Sequence, residues 1–170
     1  EYKMSIMIEK ATSLDAALIL KYLKQVGGET DNLTFGPEGM PFTVAEEASF
    51  IAQTEHSCDD IMLVAKETGK IVGIASLSRL PRRMGHRGDC SISVLKEYWN
   101  KGIGSQLLSK ILCFAKDNAF ETIDLQVRSD NLRAIHLYEK FGFQKIGRHP
   151  SFFKLADEYI PFDYMCLKIL

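Results

Sequence analysis

The chain has 170 residues, a length typical of one domain with a substantial core. Hydrophobic residues make up 46% and charged residues 25%, the composition of a globular protein rather than of a disordered or fibrous one. The 21 basic and 22 acidic residues give a formal net charge of -1, which argues against nucleic-acid binding through a basic surface. We therefore expect a single domain over residues 1–170.

The sequence disfavours both membrane insertion and metal binding. No apolar run approaches the roughly 20 residues that span a bilayer, and the N-terminal segment lacks a signal-peptide core, so we expect a cytoplasmic protein. The cysteines are scattered without a C-x-x-C pair, which predicts no zinc site or disulfide framework and favours buried thiols at Cys90 and Cys113. Because Glu1 is not an initiator, Glu1 to Lys3 are candidates for added residues and Met4 for the native start.

The N-terminal part of the chain predicts a strand and two helices. The strand covers residues 4–11, and a helix follows from Thr12 or Ser13 to Gly27–Gly28, which we expect to end it. The apolar positions expected on one face of this helix are Leu14, Leu18 and Tyr22. A loop rich in Gly and Pro occupies 27–42, and a capping box over Thr43–Glu46 then opens a second helix through about Glu55.

The middle of the chain predicts three consecutive strands. Apolar strands at 61–67 and 70–80 are joined by Thr68–Gly69, a plausible tight hairpin. The arginine-rich segment 79–87 follows, and we interpret it as a solvated hairpin loop rather than a phosphate site. The third strand covers 89–95.

The C-terminal half predicts two helices and three strands. A helix from about Gly102 to Asn118 carries one continuous apolar stripe. A strand at 122–128 enters a helix that ends at Gly142, and strands at 143–149 and 158–169 close the chain. Pro161 in the last strand requires a sheet edge or a bulge. The resulting order, βααβββαβαββ, predicts an α/β fold with one mixed sheet and helices on both faces.

A glycine-rich turn, "WNKGIG" at 99–104, lies between a predicted strand and a helix. It lacks the third glycine of a dinucleotide fingerprint and the G-K-[ST] ending of a nucleotide P-loop. Glycines at this place let the backbone close around a pyrophosphate, which the N–H groups of the first helical turn would bind. A plain tight turn that serves only packing is the alternative.

A second motif follows in "LQVRSDNLRAIHLYEKFGF", residues 125–143. Asn131 and Tyr138 are seven residues apart, so both project from one face of the predicted helix. Together with the glycine turn, this segment resembles the GNAT superfamily of N-acetyltransferases over about residues 61–147. The family motif is [QR]-x-x-G-x-[GA], and Trp99 departs from its first position. The resemblance implies the GNAT-like acyl-CoA N-acyltransferase fold, a central mixed sheet flanked by about four helices.

The resemblance also implies acetyl-CoA as co-substrate, no metal, and an enzyme that acetylates a primary amine by direct attack. The cofactor-binding residues carried over are Ile92, Ser93, Val94, Trp99, Asn100, Lys101, Gly102, Ile103, Gly104, Ser105 and Asn131. Tyr138 stands at the family position of the acid that protonates the departing thiolate. For the base that deprotonates the amine, the candidates are Asp89, His86 or a water relay.

The acceptor predicted from the sequence is a small amine. Gln126 stands where family members that acetylate protein N-termini carry a glutamate, and glutamine cannot act as a base. The loop at 27–42 could draw and enclose a cationic metabolite with three acids and two aromatics: Glu29, Asp31, Glu38, Phe35 and Phe42. The alternatives are a ribosomal-protein type N-terminal acetyltransferase and a non-catalytic acyl-CoA-binding protein. Because family members often form dimers, a homodimer is among the assemblies the resemblance allows.

Overall fold

The computed structural model describes residues 6–169, so Glu1 to Lys3 and Met4 lie outside the described residues. The helices are α1 (Ala16–Glu29), α2 (Val44–Thr54), α3 (Ile103–Asp117) and α4 (Leu132–Lys140). The strands are β1 (Met7–Lys10), β2 (Asp60–Glu67), β3 (Lys70–Arg79), β4 (Arg87–Val94), β5 (Thr122–Arg128), β6 (Gln144–Leu155) and β7 (Glu158–Lys168). This is the predicted element order.

The strands form one mixed sheet in the order β1-β2-β3-β4-β5-β7-β6. Every neighbouring pair is antiparallel except β4 and β5, which run parallel. The predicted mixed sheet is therefore confirmed. Pro161 lies in β7 opposite the irregular register between His149 and Phe153 of β6, so the expected bulge is present.

The parallel pair β4–β5 separates soon after it begins. The two strands pair only at Arg87–Asp89 with Thr122–Asp124. β4 remains paired with β3 as far as Val94, opposite Gly73, while β5 remains paired with β7 as far as Arg128. A gap therefore opens in the middle of the sheet beside residues 90–94.

Helices cover both faces of this sheet. The Tyr22 hydroxyl of α1 lies 2.9 Å from Ser93 Oγ, whereas Leu107 and Ile103 of α3 pack against Gly73, the partner of Val94. Because neighbouring strand residues point to opposite faces, α1 and α3 lie on opposite sides. The predicted α3 stripe is confirmed, with Leu112 packed at the margin of the buried set Ile103, Leu107, Leu108, Ile111 and Ala115.

The apolar face predicted for α1 is wrong in part. Leu14 is 91% exposed and Leu18 is also exposed, whereas Ile19, Tyr22 and Val26 are buried. The buried stripe is therefore displaced around the helix and retains only Tyr22 of the predicted set. Cys113 is likewise exposed on α3, whereas Cys90 is buried as expected.

Gly27 and Gly28 lie inside α1 and do not end it, which corrects the predicted boundary. A Cβ on Gly27 would overlap the carbonyl oxygen of Gly36, so this glycine permits close approach of the following loop. A Cβ on Gly28 would meet only Pro37, at an ordinary 3.5 Å. The helix ends at Glu29 because Thr30 is extended.

Substituting these two glycines is expected to have opposite effects on stability. Gly27→Ala should lower the free energy of unfolding by about 1–3 kcal/mol, because the loop backbone must move. Gly28→Ala should raise it by about 0.5–1 kcal/mol, because alanine restricts the unfolded chain and suits a helix. Urea unfolding of both variants measures the difference, and equal effects would contradict the packing role assigned to Gly27.

Candidate active site

A cavity of about 450 Å³ lies between the C-terminal end of β4, the start of α3 and α4. We call it the α3–α4 cavity. Its lining includes ten of the eleven residues predicted to bind the cofactor: Ile92, Ser93, Val94, Trp99, Asn100, Gly102, Ile103, Gly104, Ser105 and Asn131. Lys101 is the exception, since it is exposed and its ammonium lies 4.8 Å from the centre of the Tyr98 ring.

The glycine turn presents free backbone N–H groups to this cavity. Asn100 and Gly102 adopt positive φ angles of 60° and 78°, which reverse the chain before α3. The first bond of the helix runs from the Gln106 N–H to the Gly102 carbonyl, at 3.1 Å. The N–H groups of Ile103–Ser105 precede it and have no acceptor within the helix. Together with the helix dipole, they favour an anionic group in the cavity.

Trp99 and Arg133 form one wall of the α3–α4 cavity. The Trp99 Nε1–H donates to the Val94 carbonyl at 2.8 Å, which fixes the indole against the end of β4. The Arg133 guanidinium of α4 lies 3.2 Å from the centre of the indole ring. Trp99 is uncharged at the position where the family motif has Gln or Arg. The Arg133 guanidinium therefore supplies a positive charge beside that position.

The backbone of β4 points alternately toward β3 and toward the gap. Leu95 N–H bonds to the Val72 carbonyl and Leu80 N–H bonds to the Arg87 carbonyl, so the odd residues of β4 bond to β3. The Ile92 and Val94 N–H and C=O groups consequently face the gap. Ser93 bonds to β3 through its backbone.

A second cavity, of about 370 Å³, lies on the opposite face of the sheet under α1 and α2, and we call it the α1–α2 cavity. Asp89, Ser91 and Ser93 of β4 line it from one strand, with Gln126 and Arg128 of β5 beyond the gap. Phe152, Phe153 and Phe162 form an aromatic wall. The rings of Phe152 and Phe162 stack with centroids 4.4 Å apart.

The two cavities meet at the gap between β4 and β5. The lining residues they share include Ile92, Ser93, Asn131, Ala134 and Tyr138. Tyr138 is only 7% exposed, and its ring packs against Phe143 with centroids 5.7 Å apart. Burial raises the pKa of the Tyr138 phenol, so this hydroxyl stays protonated at neutral pH.

Asp89 and His86, the two side chains named as candidate bases, lie in different places. Asp89 lines the α1–α2 cavity and accepts a bond of 3.1 Å from Gln126 Nε2. Asp89 is exposed to solvent, but partial desolvation by the surrounding cavity raises the pKa of its carboxyl, and nearby Asp124 adds to the shift. His86 is exposed in the β3–β4 loop, at the opposite end of β4, and lines neither cavity. The structure therefore brings Asp89 to the site and leaves His86 outside it.

Asn131 caps α4, with its side-chain oxygen accepting from the Ala134 N–H at 3.3 Å. The preceding residue, Asp130, could also cap this helix, but its two carboxylate oxygens instead accept hydrogen bonds from Arg128 Nε and Nη2. Because Asn131 also lines both cavities, capping and cofactor contact are compatible roles.

The loop acids do not reach either cavity, contrary to the expected role of the 27–42 segment. The Glu29 carboxylate accepts from the Lys96 N–H at 2.7 Å, and Glu38 bonds the Gly36 N–H. Neither these two nor Asp31 or Phe42 belongs to the lining, whereas Phe35 does. The predicted arginine-rich loop between β3 and β4 is confirmed only in part, at residues 80–86. Arg79 instead ends β3 and pairs with Asp59, and Arg87 begins β4 and pairs with Asp124.

Two groups of lining residues were missed from the sequence. Arg133, Leu137 and Lys140 follow an i, i+4, i+7 spacing that places them on one face of α4, toward the α3–α4 cavity. That spacing was available in the sequence. Glu47 lines the α1–α2 cavity, and it stands beside Glu46 of the capping box without a signal that distinguishes it.

A model of the acetyltransferase (GNAT) family matches residues 30–143, about two thirds of the chain. The chain belongs to the GNAT family. The resemblance drawn from the glycine turn and the Asn131–Tyr138 segment is thereby confirmed.

Curated GNAT relatives fall into more than one acceptor class. The N-alpha-acetyltransferase RimI of Mycobacterium tuberculosis is 36% identical over 98 residues, 56% of this chain and 60% of that protein. The L-amino acid N-acyltransferase MnaT of Escherichia coli is 26% identical over 110 residues, 64% of each chain. The matched region thus spans less than two thirds of either relative.

Solved GNAT structures match the whole fold. A GNAT acetyltransferase from Streptococcus pneumoniae superposes with a TM-score of 0.91 and 31% identity, over 96% of this chain and 99% of that one. The putative acetyltransferase yncA of Salmonella typhimurium, solved with its cofactor acetyl-CoA, gives a TM-score of 0.83 at 19% identity, over 97% and 94%. The predicted GNAT-like fold is confirmed. In the described part of the chain, no helix has the length and apolar character needed to cross a bilayer.

Proposed function

We propose that this protein transfers an acetyl group from acetyl-CoA to a primary amine. The observation that carries the proposal is the meeting of two cavities at the β4–β5 gap, with Tyr138 lining both. The α3–α4 cavity offers N–H donors for a pyrophosphate, and the α1–α2 cavity offers carboxylates for an amine. Two reactants can therefore reach one point from opposite faces of the sheet.

On the cofactor side, the pyrophosphate binds the N–H groups of Ile103–Ser105, and the pantetheine arm runs along β4. The gap-facing N–H and C=O groups of Ile92 and the N–H of Val94 pair with its amides as an added strand would, while the Val94 carbonyl stays bonded to the Trp99 indole. One of these N–H groups also faces the thioester carbonyl oxygen and stabilises the charge that develops on it. Ser93 contacts the pantetheine arm only through its side chain, because its backbone groups are bonded to β3.

On the acceptor side, Asp89 first accepts, directly or through water, the proton that the ammonium must lose. The neutral amine nitrogen then attacks the thioester carbon from the α1–α2 cavity. The C–S bond breaks, Tyr138 donates its proton to the thiolate, and the proton that the nitrogen loses as the amide forms returns to the phenolate through water. Burial raises the pKa of the Tyr138 phenol, and the same desolvation would raise the pKa of the CoA thiol at the gap, so the proton transfer stays feasible.

Replacing Gly102 tests the pyrophosphate site with a closely matched control. Gly102 and Gly69 have φ angles of 78° and 79°, and a Cβ would meet nothing within 4 Å at either. Both alanine variants therefore carry the same backbone strain, but only residue 102 lines the α3–α4 cavity. Titration calorimetry should show CoA affinity reduced by about tenfold or more in Gly102→Ala and unchanged in Gly69→Ala. An equal effect in both would assign Gly102 to folding alone.

A small amine is the acceptor we propose, in preference to a protein N-terminus. Gln126 supports this choice, and so does the 370 Å³ α1–α2 cavity, a volume suited to a metabolite. The relationship to RimI favours the second candidate, N-terminal acetylation.

Kinetics with acetyl-CoA, using small amines and N-terminal peptides at equal concentration, separates the two acceptor classes. We expect kcat/KM to be at least about tenfold higher for a small amine, because a peptide occupies the cavity only with its first residue. A tenfold advantage for a peptide would reverse the choice. CoA binding without thiol release in any reaction would indicate a non-catalytic acyl-CoA-binding protein.

A further inference from the structure

Glu47 is a buried residue whose carboxylate opens into the α1–α2 cavity and has no partner among the described side chains. It lies in the first turn of α2, is 5% exposed and lines the α1–α2 cavity. Within residues 6–169 its side chain accepts no hydrogen bond and forms no ion pair. Its neighbour Glu46, by contrast, accepts from the Thr43 N–H at 2.8 Å and from the Thr43 hydroxyl at 2.9 Å. A buried carboxylate is normally paired, so the missing partner of Glu47 is to be sought in the cavity itself.

The other charges of this cavity favour a cationic occupant. Its charged lining residues are Glu47, Asp89 and Arg128. Arg128 is engaged by Asp130, with Nε to Oδ1 at 2.7 Å and Nη2 to Oδ2 at 3.1 Å. The described lining thus contains two carboxylates that form no ion pair and no unpaired cation to bind an acceptor's own carboxylate. This balance suits an amine with additional positive charge better than an amino acid.

The two carboxylates lie at separate positions. α2 packs on β2, whereas Asp89 belongs to β4, two strands away and about 10 Å across the sheet. Burial alone raises the pKa of Glu47, and the shift of the Asp89 pKa has no contribution from Glu47. Asp89 lies on the strand that borders the gap, and Glu47 lies at the remote end. One nitrogen cannot contact both acids.

We propose that Glu47 binds a second, non-reacting cationic group of the acceptor, so that the substrate is a small diamine. This rests on the proposed acetyl transfer and names its acceptor class. One amine lies at the gap beside Asp89 and is acetylated. The other remains charged on Glu47, and the methylene chain between them packs along the apolar floor formed by Met62 and Ile74.

The test compares α,ω-diamines, from 1,4-diaminobutane to 1,8-diaminooctane, with n-alkylamines of the same carbon number. For the wild-type protein we expect kcat/KM to be at least about tenfold higher for the best diamine than for its matched monoamine. Glu47→Gln should remove this preference by raising the diamine KM at least about tenfold, with monoamine kinetics within about twofold. Glu46→Gln, which removes the same charge one residue away and keeps a capping-box residue, should retain it.

A second readout does not depend on turnover. Diamines should raise the Tm of the CoA complex of the wild-type protein and of Glu46→Gln, but not that of Glu47→Gln. An equal loss for both amine types in Glu47→Gln, or no wild-type preference for diamines, overturns this inference and leaves the acetyl transfer standing. A wild-type protein that acetylates no amine overturns the proposed function, and this inference with it.

Discussion

Replacing Tyr138 with phenylalanine is expected to lower kcat by about 10²–10⁴-fold while the Kd for CoA changes little. The phenol lines both cavities at the gap, where we propose that the C–S bond breaks. Phenylalanine keeps the ring contact with Phe143 and loses only the hydroxyl, so packing is preserved. The thiolate must then take its proton from water, which is not held in place as the phenol is.

Tyr159→Phe is the matched control, because it removes the same hydroxyl from a side chain that is 63% exposed. Single-turnover kinetics of acetyl transfer, together with CoA calorimetry, separates chemistry from binding. Wild-type turnover in Tyr138→Phe would make Tyr138 a packing residue and water the proton source.

The lining of the α3–α4 cavity could be predicted closely from the sequence because it is local. Residues 92–105 are consecutive in the chain, and a strand–glycine–helix segment determines its own geometry. Asn131 and Tyr138 were placed on one face by helical spacing alone. The order of the helices and strands could also be predicted from the periodicity of apolar residues, and the observed mixed sheet agrees with that prediction.

The acceptor half could not be predicted in the same way because it is assembled from distant segments. Glu47, Asp89, Gln126 and Phe152 come from four different elements and meet only through the sheet order. The loop acids were chosen because they are adjacent in sequence, but the fold directs them to local hydrogen bonds. The predicted end of α1 was wrong for a related reason. Gly27 is required by a tertiary contact with Gly36, but in the sequence a glycine at this place indicates the end of a helix.

The geometry around Gln126 explains how this chain can do without the glutamate that the N-terminal acetylating enzymes carry at this position. Gln126 Nε2 on β5 donates to Asp89 Oδ1 on β4 at 3.1 Å. A carboxylate is therefore present beside position 126, but it belongs to the neighbouring strand β4. Gln126 orients this carboxylate, and desolvation raises its pKa above the ordinary value of an aspartate. We therefore propose Asp89 as the base on the acceptor side, in place of a glutamate at 126.

Asp89→Asn is accordingly expected to lower kcat/KM by about 10²-fold at neutral pH. In the wild-type protein, kcat/KM should fall as the pH drops through the pKa of Asp89, because the protonated carboxyl cannot accept a proton from the ammonium. The same limb should be absent from the profile of Asp89→Asn, whose residual rate depends on water. Steady-state kinetics across this pH range measures both effects.

The double variant Asp89→Asn/Gln126→Glu separates the base from mere packing. It exchanges amide and carboxylate across the same hydrogen bond, so the carboxylate returns to the gap from β5. We expect it to recover at least about tenfold of the lost kcat/KM and to restore the acid limb of the profile. A structural role for Asp89 predicts no such recovery, because the restored charge lies on the other strand. If Asp89→Asn alone keeps the wild-type rate and pH profile, the proton leaves through a water relay and Asp89 is not the base.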